Sequence, residues 1–188
     1  MNSRRIIILK GSPRKKGNSS ILADRLAAGA KEAGATVESF DLHKMNIGAC
    51  DACDICKGDG DRQCIIDDDM QILYPKLRAA DAIVIASPIY WFTMSAQTKL
   101  CIDRWYVLEG PQGSALKGKD IGILLTYGDT DPYSSGGINA IRTFQDIFRY
   151  IKAEIVGIIY GSALGEGDIL NQPELLEQAY QLGAKLAG

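Results

Sequence analysis

Histidine is almost missing from this chain: His43 is the only one in 188 residues. With one imidazole and no serine–histidine pairing, the sequence suits chemistry carried by a bound group better than hydrolysis by a nucleophile and its base. Excess charge is missing too. Twenty-one Lys and Arg stand against 23 Asp and Glu, a net charge of −2. Nothing global therefore draws the chain to nucleic acid or an anionic membrane, and any anion must be held by a local site. Long apolar runs are absent as well. The start, MNSRRIIILKG, sets two arginines before the short run Ile6–Leu9, too short for a signal-peptide core or a membrane span and better read as a buried strand. The expected location is the cytoplasm, where structural disulfides are rare. Neither GxGxxG nor GxxxxGK followed by Ser or Thr occurs, which argues against a dinucleotide fingerprint and a Walker loop.

What the chain does contain is a regular alternation. Apolar, β-branched runs lie at 5–10, 81–87, 120–127 and 154–161, and a fifth, alternating run at 35–42. Near-continuous runs of this kind suit parallel strands covered on both faces. Helical patterns separate them at 18–33, 67–80, 95–105, 138–151 and 173–187. Asn-Ser-Ser opens the first, three aspartates the second and a proline the last. Strand then helix, five times over, predicts an α/β flavodoxin-like three-layer sandwich with a five-stranded parallel sheet in the order 2-1-3-4-5. No repeat, low-complexity tract or linker divides the chain, so the expectation is one domain over 1–188 with a cysteine-rich loop inserted at about 43–66.

In such sheets the ligand sits beyond the carboxyl ends of the strands, beside strands one and three. Three loops are expected there. The first, GSPRKKGNSS, Gly11–Ser20, joins strand one to helix one and offers hydroxyls (Ser12, Ser19, Ser20), the Asn18 amide and the cations Arg14–Lys16. Hydroxyl and backbone donors at a helix N-terminus suit a terminal phosphate. The second, SPIYWFTMSAQ, Ser87–Gln97, carries three consecutive aromatic residues at a strand end, where a flat apolar ligand or a partner is expected to cover them. A flat heteroaromatic ring with a phosphate tail would bridge the two. The third, TYGDTDPYSSGG at 126–137, is polar and glycine-rich and could close over the ring's far side; its Asp129 and Asp131 read as solvated carboxylates, and no catalytic residue is assigned.

Four of the five cysteines fall within ACDACDICKGDGDRQC, spaced C-x2-C-x2-C-x7-C as Cys50, Cys53, Cys56 and Cys64. Zinc sites more often come as two separated pairs. Three evenly spaced thiolates with a fourth look closer to iron–sulfur ligation, although the ferredoxin run differs. From spacing alone a cluster, zinc and free or redox-active thiols all stay open. Cys101, between Leu100 and Ile102, reads as a small buried hydrophobe, and His43 as a surface residue.

Taken in order, GSPRKKGNSS, the four cysteines, IIDDDM, ASPIYWFTMSAQTKLCIDRW and LLTYGD resemble the NAD(P)H-dependent FMN reductases, and more narrowly their iron–sulfur flavoprotein branch, over about residues 5–160. The resemblance implies bound FMN and homodimers or homotetramers with the flavin near a subunit interface. It implies that Ser12, Arg14, Asn18, Ser19 and Ser20 hold the FMN phosphate. Pro88, Ile89, Tyr90, Trp91 and Phe92 would then line the isoalloxazine, with Thr126, Tyr127 and Gly128 on the remaining side. It further implies Cys50, Cys53, Cys56 and Cys64 as ligands of a compact 4Fe-4S cluster, and NAD(P)H as a transient electron donor. Three functions follow as expectations: an FMN-dependent oxidoreductase between a reduced nicotinamide and an acceptor, an electron carrier using FMN and the cluster, or a flavin-binding redox sensor.

Overall fold

The computed structural model describes residues 3–58 and 63–188. Residues 59–62, inside the cysteine-rich segment expected at 43–66, lie outside the described residues. The chain runs β1 (Arg5–Lys10), α1 (Asn18–Glu32), β2 (Thr36–Asp41), α2 (Met70–Ala79), β3 (Ala82–Tyr90), β4 (Thr93–Met94) and α3 (Ala96–Asp103), which continues into the 3-10 turn Arg104–Leu108. A two-residue hairpin follows, β5 (Glu109–Gly110) with β6 (Gly113–Ser114), then β7 (Asp120–Tyr127), α4 (Gly137–Ile151), β8 (Glu154–Ser162) and α5 (Pro173–Ala187).

The five long strands pair in parallel in the order β2-β1-β3-β7-β8, which is the 2-1-3-4-5 order expected from the alternation. Because side chains alternate along a strand, each apolar run serves two cores at once. Ile7 and Leu9 of β1, Ile83 and Ile85 of β3, and Ile121, Ile123 and Leu125 of β7 face α2, α3 and α4, where Leu73, Leu77, Phe144 and Phe148 meet them. Ile6, Ile8, Ala82, Val84, Ala86 and Leu124 face α1 and α5, against Leu22, Leu26, Leu182 and Leu186. The small residues of β3 lie on this second face. There α1 and α5 cross at two glycines: a Cβ on Gly29 would stand 2.1 Å from the Tyr180 carbonyl oxygen, and one on Gly183 2.0 Å from that of Leu26. A side chain at either position would force the helices apart.

The second helix begins later than the helical pattern at 67–80 indicates, at Met70. Acidic residues at a helix start are favoured by the dipole, but here Asp68 and Asp69 also bind the loop that precedes the helix. Asp68 accepts from the backbone N–H of Gly48 (2.9 Å) and of Met70 (3.0 Å), and Asp69 accepts from that of Asn46 (2.7 Å). They fasten the incoming loop instead of extending the helix. Beyond β3 the chain also forms a tight β3–β4 hairpin not expected from the sequence, with Ile89 opposite Met94 and Tyr90 opposite Thr93. No helix among the described residues is long and apolar enough to cross a membrane.

Candidate functional site

At the carboxyl ends of β1, β3 and β7 a cavity of about 230 Å³ opens. One wall is Ser12, Arg14, Gly17 and Asn18; the second is Pro88, Ile89 and Tyr90; the third is Thr126, Tyr127 and Gly128. Three separate loops thus converge where the switch-point rule puts a ligand. The fourth wall, Ala163 and Leu164, comes from the loop after β8, which sequence reasoning missed.

That loop is fastened to the first one. The Asn18 side-chain amide donates to the carbonyls of Ala163 (2.9 Å) and Gly165 (2.7 Å), while its oxygen accepts from the Ile169 N–H (3.2 Å). Arg14 Nη1 donates to the Leu164 carbonyl (2.7 Å), and the Lys16 N–H to Glu166 Oε1 (2.5 Å). The hydrogen-bonding capacity of Asn18 is therefore directed at the 163–169 loop. The only signal for this in the sequence is that 163–169, too, follows the carboxyl end of a strand.

The N-terminus of α1 presents the opposite situation. Gly17 occupies its N-cap, no side chain caps it, and no acidic residue lies in its first turn. Its first N–H groups consequently lack intrahelical partners and carry the positive end of the helix dipole. The chain comes in very close here: a Cβ on Gly17 would stand 2.1 Å from Ser12 Oγ. One residue into the helix, Ser19 is fully buried with a hydroxyl that has no hydrogen-bond partner. A buried hydroxyl without a partner costs about 1–3 kcal/mol, so the arrangement suits an anion with several acceptor oxygens. Ser20 opens instead onto a neighbouring cavity of about 320 Å³ with Lys10, Lys15, His43 and Lys44. In it Lys10 lies between Asp41 (3.0 Å) and Asp24 (3.4 Å). Burial opposes its charge, but the two carboxylates outweigh that and raise its pKa.

The aromatic loop is held open. Trp91 and Phe92 form the tip of the β3–β4 hairpin with φ of 47° and 66°, both left-handed. Two-residue turns of this kind normally take Asn-Gly, and each non-glycine residue there costs roughly 1–2 kcal/mol. The Phe92 carbonyl accepts from Asn139 Nδ2 (3.1 Å), which helps fix the tip. Trp91 is 92% exposed. These two residues line a shallower hollow beside the main cavity with Ile89, Gly128, Asp129, Ser134 and Ser135.

Beneath the hairpin a buried hydroxyl chain joins the first two loops. Ser95 Oγ caps α3 at the Thr98 N–H (3.3 Å) and donates to the Gly11 carbonyl (2.8 Å), while the Ser95 N–H donates to Ser87 Oγ (3.0 Å). Asp131, in the third loop, accepts from the N–H groups of Tyr133 (2.7 Å) and Ser134 (3.0 Å), which lowers its pKa and marks it as a turn former.

The cysteine loop lies apart. Cys50 and Cys53 are exposed, Cys56 and Cys64 half-buried against the core, and all are free thiols. Among the described residues no three His, Cys, Asp or Glu side chains gather into a metal-binding set. The loop is nonetheless anchored. Lys57 sits 3.7 Å over the Tyr106 ring and donates to the Tyr106 and Glu109 carbonyls. Arg104 Nη2 donates to Cys64 Sγ (3.3 Å). Burial pushes the Cys64 thiol up, but the Ile66 backbone and Arg104 outweigh it and hold its pKa below the usual value. Cys101 is fully buried, and burial pushes its thiol up to about 12, as befits a packing residue.

An uncapped helix N-terminus at one end, an aromatic strand end at the other and a parallel sheet in this order define the flavodoxin-like class of α/β proteins. Within it, the chain belongs to the NADPH-dependent FMN reductase family, which it matches over residues 4–163. It is 34% identical over 180 residues to an iron–sulfur flavoprotein of Archaeoglobus fulgidus, covering 94% of this chain and 76% of that one. It is 30% identical over 181 residues to an FMN-dependent NADH:quinone oxidoreductase of a Shewanella species, covering 88% and 90%. The solved structure of the Trp repressor binding protein from Bacillus subtilis superposes with a TM-score of 0.71 at 26% identity, covering 95% of this chain and 99% of that one.

Proposed function

We propose that the protein is an FMN-dependent oxidoreductase that takes electrons from a reduced nicotinamide and passes them to a small-molecule or protein acceptor. The observation that carries this reading is the cavity in which the uncapped α1 N-terminus, at Gly17 and Asn18, shares a wall with Ser12 and Arg14, while Pro88, Ile89, Tyr90, Thr126, Tyr127 and Gly128 line the rest. The orphaned Ser19 hydroxyl lies buried in the same first turn of α1. When bound there, FMN supplies the hydride- and electron-accepting ring. The chain's own residues do the binding and orienting. The first turn of α1, Ser12 and Ser19 meet the phosphate, and Arg14 adds a positive charge beside it. Pro88–Tyr90 and Thr126–Gly128 would hold the ring, and the nicotinamide would stack on it transiently. The exposed Trp91–Phe92 tip, beside the cavity, would be covered by a second copy of the chain in a homodimer or homotetramer. The test is anaerobic stopped-flow reduction of FMN-loaded protein by NADH and NADPH, with sedimentation analysis of the assembly. Bleaching of the flavin band by either nucleotide is expected; a flavin reduced by neither contradicts the nicotinamide donor.

A second reading adds the 4Fe-4S cluster, in which case electrons leave singly toward a protein partner. It is favoured by a donor set of four thiols on one loop, by the Arg104 N–H that already reaches Cys64 Sγ, and by the buried Tyr74 hydroxyl beside the same sulfur. Ligating sulfurs are held by outer donors of this kind. Cys50, Cys53, Cys56 and Cys64 would hold the iron, with Cys50 and Cys53 drawn in from exposed positions. Iron and acid-labile sulfide assays on anaerobically purified protein test it.

A further inference from the structure

Arg104 is the largest fully buried side chain among the described residues, and it carries a charge. It forms an ion pair with Asp68 in which the two side chains are 1% and 4% exposed. The pair is forked: Nη1 reaches Asp68 Oδ2 (2.5 Å) and Nη2 reaches Asp68 Oδ1 (3.2 Å). Nη1 also donates to the Gly48 carbonyl (2.9 Å), and the Gly48 N–H donates back to Asp68 Oδ2 (2.9 Å). What remains of the fork, on Nη2, points at Cys64 Sγ. A buried ion pair adds little net stability over an apolar pair of the same shape, so its presence calls for another role. Its place supplies one. It joins both stems of the cysteine loop, Gly48 before Cys50 and Asp68 after Cys64, to the end of α3, and Nη2 keeps one hydrogen bond for sulfur while Nε has no partner. Gln71 secures the same stem, donating to the carbonyls of Cys64 and Ile66 (both 2.9 Å).

We propose that Arg104, locked by Asp68, is the positioning residue of the cysteine centre: it fixes Cys64 in ligating orientation and, through its N–H···S bond, raises the reduction potential of the iron held there. This rests on the iron–sulfur reading above. Hydrogen bonds to cluster sulfurs favour the reduced, more negative state and so lift the potential. A lysine at 104 keeps a charge for Asp68 but has neither the planar fork nor the second nitrogen aimed at Cys64.

The experiment compares anaerobically purified wild type with Arg104→Lys and Asp68→Asn. It measures FMN content, iron and sulfide, iron release to a chelator, and the midpoint potential of the iron chromophore by redox titration. The expected result is a retained FMN content, with iron released several-fold faster and a midpoint moved to more negative potential, further in Arg104→Lys than in Asp68→Asn. An unchanged potential and release rate in an iron-loaded Arg104→Lys protein overturns the role of Arg104 and leaves the cluster standing. A wild type without iron and sulfide overturns the cluster reading, and this role of Arg104 with it. Should neither variant fold, wild type grown on 15N-arginine decides. A nitrogen hyperfine coupling from a guanidinium to the reduced iron centre supports the proposal, and its absence overturns it.

Discussion

The two chemical regions of this molecule are built in opposite ways. The cavity at the carboxyl ends of β1, β3 and β7 is assembled from loops that leave a packed parallel sheet, and each is tied to its neighbour by short side-chain bridges. Ser95 links the second loop to the first at Gly11, and Asn18 links the first to the 163–169 loop. Among the described residues, the cysteine loop between Met45 and Ile66 has no regular element beyond the 3-10 turn Ile55–Lys57. It is held from below, by Arg104 with Asp68 and by Lys57 on the 106–109 turn. A site that must present a fixed set of donors to a rigid ring benefits from the first design. A site whose ligands close around a metal can leave its ordering to the metal.

The two regions should therefore break differently. The largest effect is expected at the cysteine loop's anchor. Asp68→Ala leaves the Arg104 guanidinium buried without its carboxylate, and losing one partner of such a pair costs about 3–5 kcal/mol in denaturant unfolding. An effect below about 1 kcal/mol would mean that water reaches the guanidinium.

Next come two neighbouring residues of the first loop with opposite signatures. Asn18→Ala removes three hydrogen bonds to the 163–169 loop and should lower stability by about 1–3 kcal/mol, with faster amide exchange at Gly165–Ile169. Ser19→Ala removes a hydroxyl that has no partner, so the FMN-free protein should be as stable or slightly more so. FMN affinity should nonetheless fall by about 1–1.5 kcal/mol, roughly tenfold. If Ser19→Ala destabilises the FMN-free protein and leaves the affinity alone, the hydroxyl belongs to the core and not to the phosphate.

The smallest expected effect is electrostatic. Asp41 accepts from Lys44 (2.7 Å) and lies 3.0 Å from Lys10, and the Lys44 contact leads in holding its pKa below the ordinary carboxylate value against the opposing effect of burial. A carboxyl depressed on folding contributes stability above its unfolded pKa, near 4, and loses it as pH falls through the folded value. The raised pKa of Lys10 acts at the other end, so that its share persists to high pH and is lost only above its unfolded value. Denaturation of the wild type and Asp41→Asn at pH 7 and pH 3 should show a difference that shrinks at low pH, worth about 0.2–1 kcal/mol for partly exposed pairs.

Much of the cavity was legible in the sequence because it follows from two regularities. Near-continuous β-branched runs gave the parallel strands, and the switch-point rule named the loops at their ends. Three things were not legible. Leu164 enters the site because the Asn18 amide holds the distant loop, whereas Asn-Ser-Ser by itself suggests only a cap. The run Asp67–Asp69 looks like a helix start from dipole considerations, yet Asp68 and Asp69 reach back to Gly48 and Asn46. The hairpin tip at Trp91–Phe92 carries none of the Asn or Gly residues that advertise such a turn, because its strain is absorbed by the surrounding structure. In each case a long-range contact overrides a local rule.

The central claim is that the N-terminus of α1 is an anion site for the phosphate of FMN. It is tested most directly by titrating the flavin-free wild type with FMN and with riboflavin, which lacks only the phosphate, and following flavin fluorescence. With two or more charge-assisted hydrogen bonds at about 1.5–3 kcal/mol each, FMN should bind at least about a hundredfold more tightly. Equal affinities for the two flavins would contradict the account.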